Sequence, residues 1–351
     1  MSNSKLTLII DGNWLLMSRI SVIQNKYTDV NKLCNDLKLL MLKSISIVLK
    51  QFPLIDNVIL VSDGGSWRNK IDVPKYLKDQ GIEYKGNREH TEGVDWDAVF
   101  AAYESFTNTF QRNGITVLKE MGVEGDDWMW YLSTEFNKQG TNVVLWSRDK
   151  DLTQLVRTDE NGCFTVCWNK EGGLTCEEKN EDEINFLFNP YYNENETLFK
   201  SISDKSKTVN KINPHDIVID KIIRGDQSDN IQSIILRKSK NGSTRLQRVS
   251  NKDLDLTLDI HDENAVDNYI TTLLESKSYV GRVDKTYEDI IEHFKYNKCL
   301  VTLEAESYPP EIIKLMQQHQ SELNKCNKDI SEVEYQIQAE ANNITSILNI
   351  I

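Results

Sequence analysis

Acidic residues that follow apolar segments are the residues of this sequence best suited to chemistry. Asp11 follows LTLII, Asp63 follows NVILVS, and Asp149 follows NVVLWSR. The segment ITVLKEMGVEGDD, which begins at residue 115, runs into three further acids: Glu124, Asp126 and Asp127. Carboxylates that lie close together raise one another's pKa. A set of this size at one place therefore indicates bound cations.

Two further segments add acids of the same kind. Asp151 comes two residues after Asp149, and RGDQSDN contributes Asp226 and Asp229. All of these side chains offer oxygen ligands, and no histidine or cysteine is among them. Oxygen-only sites suit Mg²⁺, Mn²⁺ or Ca²⁺. Two such ions about 4 Å apart match the two-metal hydrolysis of phosphodiesters.

The segments that carry the acids alternate between strand and helix patterns. Apolar runs at 6–12, 57–65 and 142–149 predict strands, and so does the segment that begins at 115. Residues 33–48 have apolar side chains at helical spacing. This alternation predicts an α/β fold with a mostly parallel sheet flanked by helices. Ligand sites in such sheets form outside the carboxyl ends of the strands, so we expect the acids to converge there.

A single acid after a strand has a simpler explanation, because it commonly caps the next helix. That explanation serves for Asp127 or Asp149 alone. It is poor for the whole set, since the spacings DxD and ExDD recur at successive strand ends. A receiver-like or phosphatase-like phosphorylation site needs one nucleophilic Asp and fewer ligands than this chain offers.

The composition excludes several classes of protein. The 351 residues carry a net charge of −13, with a pI near 5.0, which argues against indiscriminate binding to nucleic acids or anionic membranes. The six cysteines lack paired CxxC spacing, so reduced thiols are favoured over a zinc site. No apolar run approaches the ~20 residues that span a bilayer. We expect a cytoplasmic protein, in the host cytoplasm if it is viral, with no membrane partner.

The chain resembles the flap-endonuclease family of structure-specific 5′ nucleases in six motifs, which occur in the family's order: LIIDGNW, VILVSDGGSWR, YKGNR, VEGDDW, SRDKDLTQL and IIRGDQSDNI. They span residues 6–231, and a weaker echo covers 293–312. The resemblance implies a PIN-like, FEN-type sheet with a helical arch. It also implies a C-terminal helical DNA-binding region of helix–turn–helix type.

The resemblance divides the acids between two metal ions. One ion would be held by Asp11, Asp63, Asp149 and either Asp126 or Asp127, with Glu124 in or just behind that shell. Three acids would serve the second ion, some of them through water: Asp151, Asp226 and Asp229. The implied ions are two Mg²⁺, for which Mn²⁺ can substitute. Binding of K⁺ is left open, because the glycine-rich hairpin of many relatives is replaced by IQSIILRKSKNG.

The motif YKGNR supplies candidate substrate contacts. We expect Tyr84, Lys85 and Arg88 within one helical turn, at the base of the arch that the resemblance implies. Tyr84 would stack on an unpaired base, and Lys85 and Arg88 would act as active-site cations on the phosphate. A solvated helix start explains so short a motif equally well.

A second basic stretch, between residues 236 and 252, contains no acid. We expect it to bind duplex DNA, although a plain surface charge run remains an alternative. With Arg68 from the segment after Asp63, the predicted contacts outside YKGNR are Arg68, Arg237, Lys238, Lys240, Arg245 and Arg248.

These features predict three regions. The first is a nuclease domain at 1–225, which includes an arch at about 66–112 and a polar insertion at about 157–212. The second is a duplex-binding region at 226–310, and the third is a helical tail at 311–351. We expect a monomeric metal-dependent 5′→3′ exonuclease and flap endonuclease. Its substrates would be 5′ ends of RNA or DNA annealed to DNA, as in primer removal during replication. A single-stranded-DNA-binding protein of the replisome is the expected protein partner.

Two alternatives compete with this interpretation. A PIN-type ribonuclease would cut single-stranded RNA, but small PIN nucleases lack the basic stretch and the RGDQSDN turn. A non-catalytic DNA-binding relative would have lost acids from the cluster, and none is missing here.

Overall fold

The computed structural model describes residues 5–24, 29–52, 55–87, 93–169, 173–177, 209–238 and 247–323. The chain divides into two compact units. Unit 1 comprises Met1–Gly65, Thr91–Ile212 and Pro310–Ile351. Unit 2 comprises Ser66–His90 and Asn213–Pro309.

Unit 1 is built on one sheet, which has eight strands in the described residues. The strands are β1 Leu6–Asp11, β2 Asn57–Val61, β3 Thr116–Leu118, β4 Asn142–Trp146, β5 Arg157–Thr158, β6 Phe164–Asn169, β7 Gly173–Glu177 and β8 Val209–Ile212. Their order is β3-β2-β1-β4-β6-β7-β8, and β5 pairs with β6. The pairs that involve β1 to β4 are parallel, whereas β6 is antiparallel to β5 and β7.

The central strand β1 lies between β2 and β4 and is apolar because its side chains are buried along the whole strand. Ile9 pairs with Ile59 of β2 and with Leu145 of β4, and every residue of β1 is buried. The helices of unit 1 are α1 Gly12–Ile23, α2 Val30–Gln51, α4 Trp96–Arg112, α5 Gly125–Lys138 and α9 Pro310–Gln318. Helix α4 packs on α2. The predicted mostly parallel sheet flanked by helices is thus confirmed.

Unit 2 is mainly helical. Its helices are α3 Lys75–Lys78, α6 Pro214–Arg224, α7 Glu263–Glu275 and α8 Tyr287–Val301. Helix α8 packs on α6 and α7, and Ile223, Ile270 and Ile290 are fully buried in the common core. The buried Asn297 joins this core to its loops, since its amide donates to the carbonyl oxygens of Ile222 and Gln232, each at 2.8 Å.

The units divide the chain differently from the predicted domains. The predicted arch region, 66–112, is split, because 66–90 belongs to unit 2 and α4 to unit 1. The expected polar insertion at 157–212 contains strands β5 to β8, whose buried side chains include Trp168 and Leu174. The remainder of that stretch, at 170–172 and 178–208, lies outside the described residues.

The predicted helical region 226–310 contains α7 and α8, and its helix–turn–helix stays a prediction, because residues 239–246 of the basic stretch lie outside the described residues. Residues 226–238 and 247–262 contain a 3-10 helix, Asn251–Asp253, and no α-helix. Arg237 instead forms extended bridges with Gln247 and Val283, and such pairing holds the backbone out of a helix. Across the described residues, no helix has the length and apolar character needed to cross a membrane.

Candidate active site

The strand-end acids of unit 1 meet at one edge of the sheet. Asp11 is the last residue of β1, Asp63 lies two residues beyond β2, and Asp149 lies three residues beyond β4. Because β1 is hydrogen-bonded between β2 and β4, Asp11 has an acid on each side. Helix α5 starts at the same edge, since the N–H of Gly125 donates to Asp63 Oδ1 at 2.6 Å.

Asp11 is the most enclosed carboxylate of this group. Its side chain caps α1 by accepting the N–H of Trp14 at 2.8 Å, and it accepts the hydroxyl of Ser147 at 2.7 Å. The pKa of Asp11 is raised to about 7, mainly by burial and to a lesser degree by the neighbouring charges of Asp63 and Asp149, although its hydrogen bonds from Trp14 and Ser147 lower it. A nearby cation would stabilise the ionised form of this carboxyl.

Asn13 orients Asp63. The amide of Asn13 donates to Asp63 Oδ2 at 2.7 Å, and Asn13 Oδ1 accepts the N–H of Asp63 at 3.1 Å. With the contact from Gly125, both carboxylate oxygens of this exposed side chain accept hydrogen bonds from defined donors. Asp63 therefore has a fixed direction at the edge of the sheet.

Asp149 and Asp151 are connected through the backbone. Ser147 Oγ accepts the N–H of Asp149 at 3.0 Å, and Asp149 Oδ1 accepts the N–H of Asp151 at 2.9 Å. The segment that follows, Asp151–Leu155, is a 3-10 helix of five residues. Ser147 thus links Asp11 and Asp149 through its single hydroxyl.

Asp126 and Asp127 have different roles at the start of α5. Asp127 is fully buried and accepts the N–H of Glu124 at 2.9 Å, which satisfies a donor at the helix N-terminus. Asp126 is only partly buried. The sequence left open which of the two acids faces the ions, and the geometry favours Asp126.

Replacing Asp127 with alanine should lower the free energy of unfolding by about 1–2 kcal/mol, because a buried N–H loses its acceptor. Asp126→Ala is the matched control and should change it by less than about 0.5 kcal/mol. Urea denaturation in EDTA measures both variants. Equal losses would contradict the assignment of Asp127 to capping.

The carboxylates have the ligand type that divalent cations prefer, but their oxygens are not arranged as a closed coordination shell. Among the described residues, no three His, Cys, Asp or Glu side chains are arranged as a metal site. Like charges repel, and at this edge N–H and O–H donors hold Asp11, Asp63 and Asp149 individually. The donor set is nonetheless entirely oxygen, which suits Mg²⁺ or Mn²⁺. Closure of these ligands around an ion remains a prediction.

In unit 2, the turn that contains Tyr84 and Lys85 is bound to the RGDQSDN turn. The backbone N–H of Lys85 donates to the carbonyl oxygen of Asp229 at 2.9 Å. The side-chain amide of Asn230 donates to the carbonyl oxygen of Glu83 at 2.8 Å. Lys85 has φ +56°, so the expected helical turn is wrong. A left-handed conformation is costly for a residue with a β-carbon, and such strain is concentrated at functional sites. The Lys85 ammonium lies 4.9 Å from the centre of the Tyr84 ring.

Asp226 is held by its own turn. Its carboxylate pairs with Lys221 at 2.5 Å and accepts both the N–H and the hydroxyl of Ser228, at 2.8 and 2.6 Å. Burial raises the pKa of Asp226, but these contacts outweigh burial and lower it. Asp226 therefore stabilises the turn that presents Asp229.

The structure corrects the expected DNA contact of Arg68. This side chain is 3% exposed, its Nε–H donates to the carbonyl oxygen of Leu300 at 3.1 Å, and its guanidinium lies 4.7 Å from the Trp67 ring centre and 5.8 Å from that of Tyr308. A buried guanidinium packed in this way cannot also grip a phosphate. Arg68 is a core residue of unit 2.

The other predicted basic contacts divide into three groups. Arg237 is partly buried with its guanidinium 4.6 Å from the Tyr279 ring centre, and Arg248 is also partly buried. Lys238 is exposed and pairs with Asp284 at 2.8 Å. Three residues lie outside the described part of the chain: Arg88, Lys240 and Arg245.

Sequence reasoning missed the side chains that orient the acids. Asn13 and Ser147 hydrogen-bond to Asp63 and Asp11, and the buried hydroxyls of Ser62 and Tyr103 lie 2.6 Å apart behind them. Burial raises the pKa of Tyr103, and Asp11 and Asp63 add to the shift. Asn13 lies inside the motif LIIDGNW, but the residue type and spacing give no sign of its partner.

Comparison with known proteins supports the same family. The model of the 5′-3′ exonuclease N-terminal, resolvase-like domain matches residues 7–186. A 5′-3′ exonuclease of Buchnera aphidicola subsp. Acyrthosiphon pisum (strain APS) is 28% identical over 156 residues, which are 44% of this chain and 50% of that protein. A 5′-3′ exonuclease of Mycoplasmopsis pulmonis (strain UAB CTIP) is 27% identical over 235 residues, 66% of this chain and 63% of that protein. The chain thus spans less than two thirds of these curated relatives.

A solved structure shows the fold at low sequence identity. It is the bacteriophage T5 D15 flap endonuclease in a pseudo-enzyme-product complex with DNA and metal ions. It has a TM-score of 0.50 and 14% identity, and the match covers 91% of this chain and 98% of that one. Because the family model covers more than half of the residues, the chain belongs to the 5′-3′ exonuclease family defined by this N-terminal, resolvase-like domain.

Proposed function

We propose that this protein is a divalent-metal-dependent 5′→3′ exonuclease and flap endonuclease. It hydrolyses phosphodiester bonds at the 5′ ends of RNA or DNA annealed to DNA. The observation that carries the proposal is the position of Asp11, between Asp63 and Asp149 at the carboxyl edge of the sheet. Family membership and the oxygen-only donor set support the same chemistry.

The chain's own residues would hold two Mg²⁺ ions, for which Mn²⁺ can substitute. Ions held there would supply the Lewis acidity that lowers the pKa of a bound water and stabilises a leaving oxygen in phosphodiester hydrolysis. Asp11, Asp63, Asp126 and Asp149 provide carboxylates for one ion, with Glu124 behind them. For the other ion, the sequence proposes three acids: Asp151, Asp226 and Asp229. Asn13 orients the carboxylate of Asp63, and Ser147 orients that of Asp11, through the hydrogen bonds described above.

Lys85 and Tyr84 are the proposed substrate contacts of unit 2. The backbone of Lys85 is fixed by the carbonyl oxygen of Asp229, so its ammonium starts from a defined position. A preorganised cation stabilises charge that develops on a phosphate. Tyr84, which is partly exposed, would stack on an unpaired base. Arg88 remains a proposed phosphate contact from the sequence.

The duplex would be bound through charges of residues 226–310. Lys238 is the exposed candidate there, and Arg237 and Arg248 are partly buried. We propose a monomer that acts in the cytoplasm on 5′ flaps or RNA–DNA hybrids during primer removal. A single-stranded-DNA-binding protein of the replisome is its proposed partner, and K⁺ binding stays open.

Three labelled substrates distinguish this function from its alternatives: a 5′-flap duplex, a nicked RNA–DNA hybrid and free single-stranded RNA. Each is incubated with the full chain in Mg²⁺ and, as a control, in EDTA. We expect cleavage of the annealed substrates in Mg²⁺ alone. Cleavage of free RNA alone would favour a PIN-type ribonuclease. Binding without any cleavage would favour a non-catalytic relative.

A further inference from the structure

A buried pair of hydroxyl groups lies directly behind the strand-end carboxylates. Tyr103, on α4, and Ser62, which precedes Asp63, share a hydrogen bond of 2.6 Å. Tyr103 is 7% exposed and Ser62 is 2% exposed, so water does not compete strongly for this bond. Helix α4 also buries apolar side chains, such as Phe106 and Phe110, both of which are fully buried.

The Tyr103 hydroxyl also lies against the residue that follows Asp11. A β-carbon at Gly12 would collide with the Tyr103 oxygen, and it would come within 2.7 Å of the Val61 carbonyl oxygen. Only a residue without a side chain leaves room for the phenol at this point. One hydroxyl is thereby packed between the end of β1, which carries Asp11, and the end of β2, which leads to Asp63.

We propose that Tyr103, acting through Ser62 and Gly12, is a positioning residue that fixes the separation and direction of Asp11 and Asp63 for divalent-cation binding. This inference rests on the proposed function, because the separation of the two carboxylates matters only if they bind a cation together. Each carboxylate is directed by its own donors, Ser147 for Asp11 and Asn13 for Asp63. Tyr103 differs from these donors in that it touches neither carboxylate and instead holds the backbone beside them, at Ser62 and at Gly12, with one buried hydroxyl.

Metal affinity is the property that this arrangement should control. Groups that orient metal ligands from behind change metal affinity by about 10–100-fold when they are removed. A hydroxyl that only filled space would leave the affinity unchanged on conversion to phenylalanine, because the ring and its packing remain. The distinction can be measured with Mn²⁺ alone, without substrate and without turnover.

The experiment compares Mn²⁺ binding, measured by electron paramagnetic resonance, in the full-length wild type and four variants: Tyr103→Phe, Ser62→Ala, the double variant and Tyr131→Phe. We expect Tyr103→Phe and Ser62→Ala each to bind Mn²⁺ with an affinity about 10-fold lower than that of the wild type. The double variant should be no weaker than either single variant, because both remove the same hydrogen bond. Tyr131→Phe is the matched control, since it removes a buried phenol's bond to Gln320 elsewhere in unit 1.

A second measurement separates positioning from a general loss of structure. Flap cleavage by Tyr103→Phe should need about 10-fold more Mn²⁺ for half-maximal rate and should approach the wild-type rate at saturation. Wild-type Mn²⁺ affinity in Tyr103→Phe would overturn the inference. So would a loss of Mn²⁺ affinity in the double variant equal to the product of the two single losses. If the wild type itself bound no Mn²⁺, the proposed function would fail before this inference was reached.

Discussion

Alanine in place of Asp149 should abolish cleavage of a 5′-flap duplex in Mg²⁺, with a fall in the single-turnover rate of about 1,000-fold or more. The reason is that Asp149 is one of two acids flanking the buried Asp11, and its loss removes a proposed metal ligand. A loss of about 4 kcal/mol of transition-state stabilisation corresponds to this factor. Binding to the duplex in Ca²⁺ should be retained, because the basic contacts with DNA are unchanged.

The control for this variant is Asp97→Ala, which removes an exposed acid of α4 in the same unit. It changes the net charge by the same amount and should leave the rate within about twofold, since surface substitutions away from special features have small effects. Asp149→Ala protein that cuts the flap at the control's rate would remove Asp149 from the proposed catalytic set.

Lys85→Ala should lower the single-turnover rate of flap cleavage by about 100-fold, with little change in duplex affinity. Loss of a preorganised group that stabilises developing charge costs about 10²–10³-fold in rate. Lys78→Ala is the matched control, because Lys78 is an exposed lysine of the same unit. We expect the control to cut at the wild-type rate.

The left-handed backbone of Lys85 makes it possible to test the effect of its charge separately from the effect of its backbone conformation. Lys85→Gly should lose activity as Lys85→Ala does, yet gain about 0.5–1 kcal/mol in the free energy of unfolding relative to Lys85→Ala, because glycine adopts φ +56° without strain. Substantial activity in Lys85→Gly would contradict a role for the ammonium.

The sheet and its acids were predictable from the sequence because their signals are local. An apolar run such as LTLIID reports a strand buried on both faces, and its last residue is automatically at the carboxyl edge. The positions of Asp11, Asp63 and Asp149 at one edge then follow from the parallel order of β1, β2 and β4. No knowledge of side-chain contacts is needed for that step.

The errors arose where distant residues decide the outcome. Arg68 is charged and follows a strand-end motif, but its environment is set by Leu300 and Tyr308, more than two hundred positions later. The YKGNR segment was expected to form a helical turn, yet Lys85 has a left-handed backbone and its N–H is bound by the carbonyl oxygen of Asp229. Contacts with residues far along the chain decide both outcomes.

The strands of the predicted polar insertion were missed for a compositional reason. β6 reads FTVCWN and β7 reads GLTCE, and both precede a stretch rich in Glu, Asn, Lys and Ser whose composition indicates a polar insertion. β6 takes its place in the sheet by pairing with β4, where Val144 pairs with Val166 and Trp146 with Trp168, and β7 pairs in turn with β6. A single sequence does not contain that pairing information.

The most direct test of the central claim is to locate Mn²⁺ by anomalous diffraction in crystals of the protein grown with this ion. We expect a peak about 2 Å from carboxylate oxygens of Asp11 and Asp63, at the carboxyl edge of the sheet. A second peak is predicted about 4 Å from the first. Saturating Mn²⁺ with no peak beside Asp11 would contradict the claim that these strand-end acids form a metal-binding nuclease site.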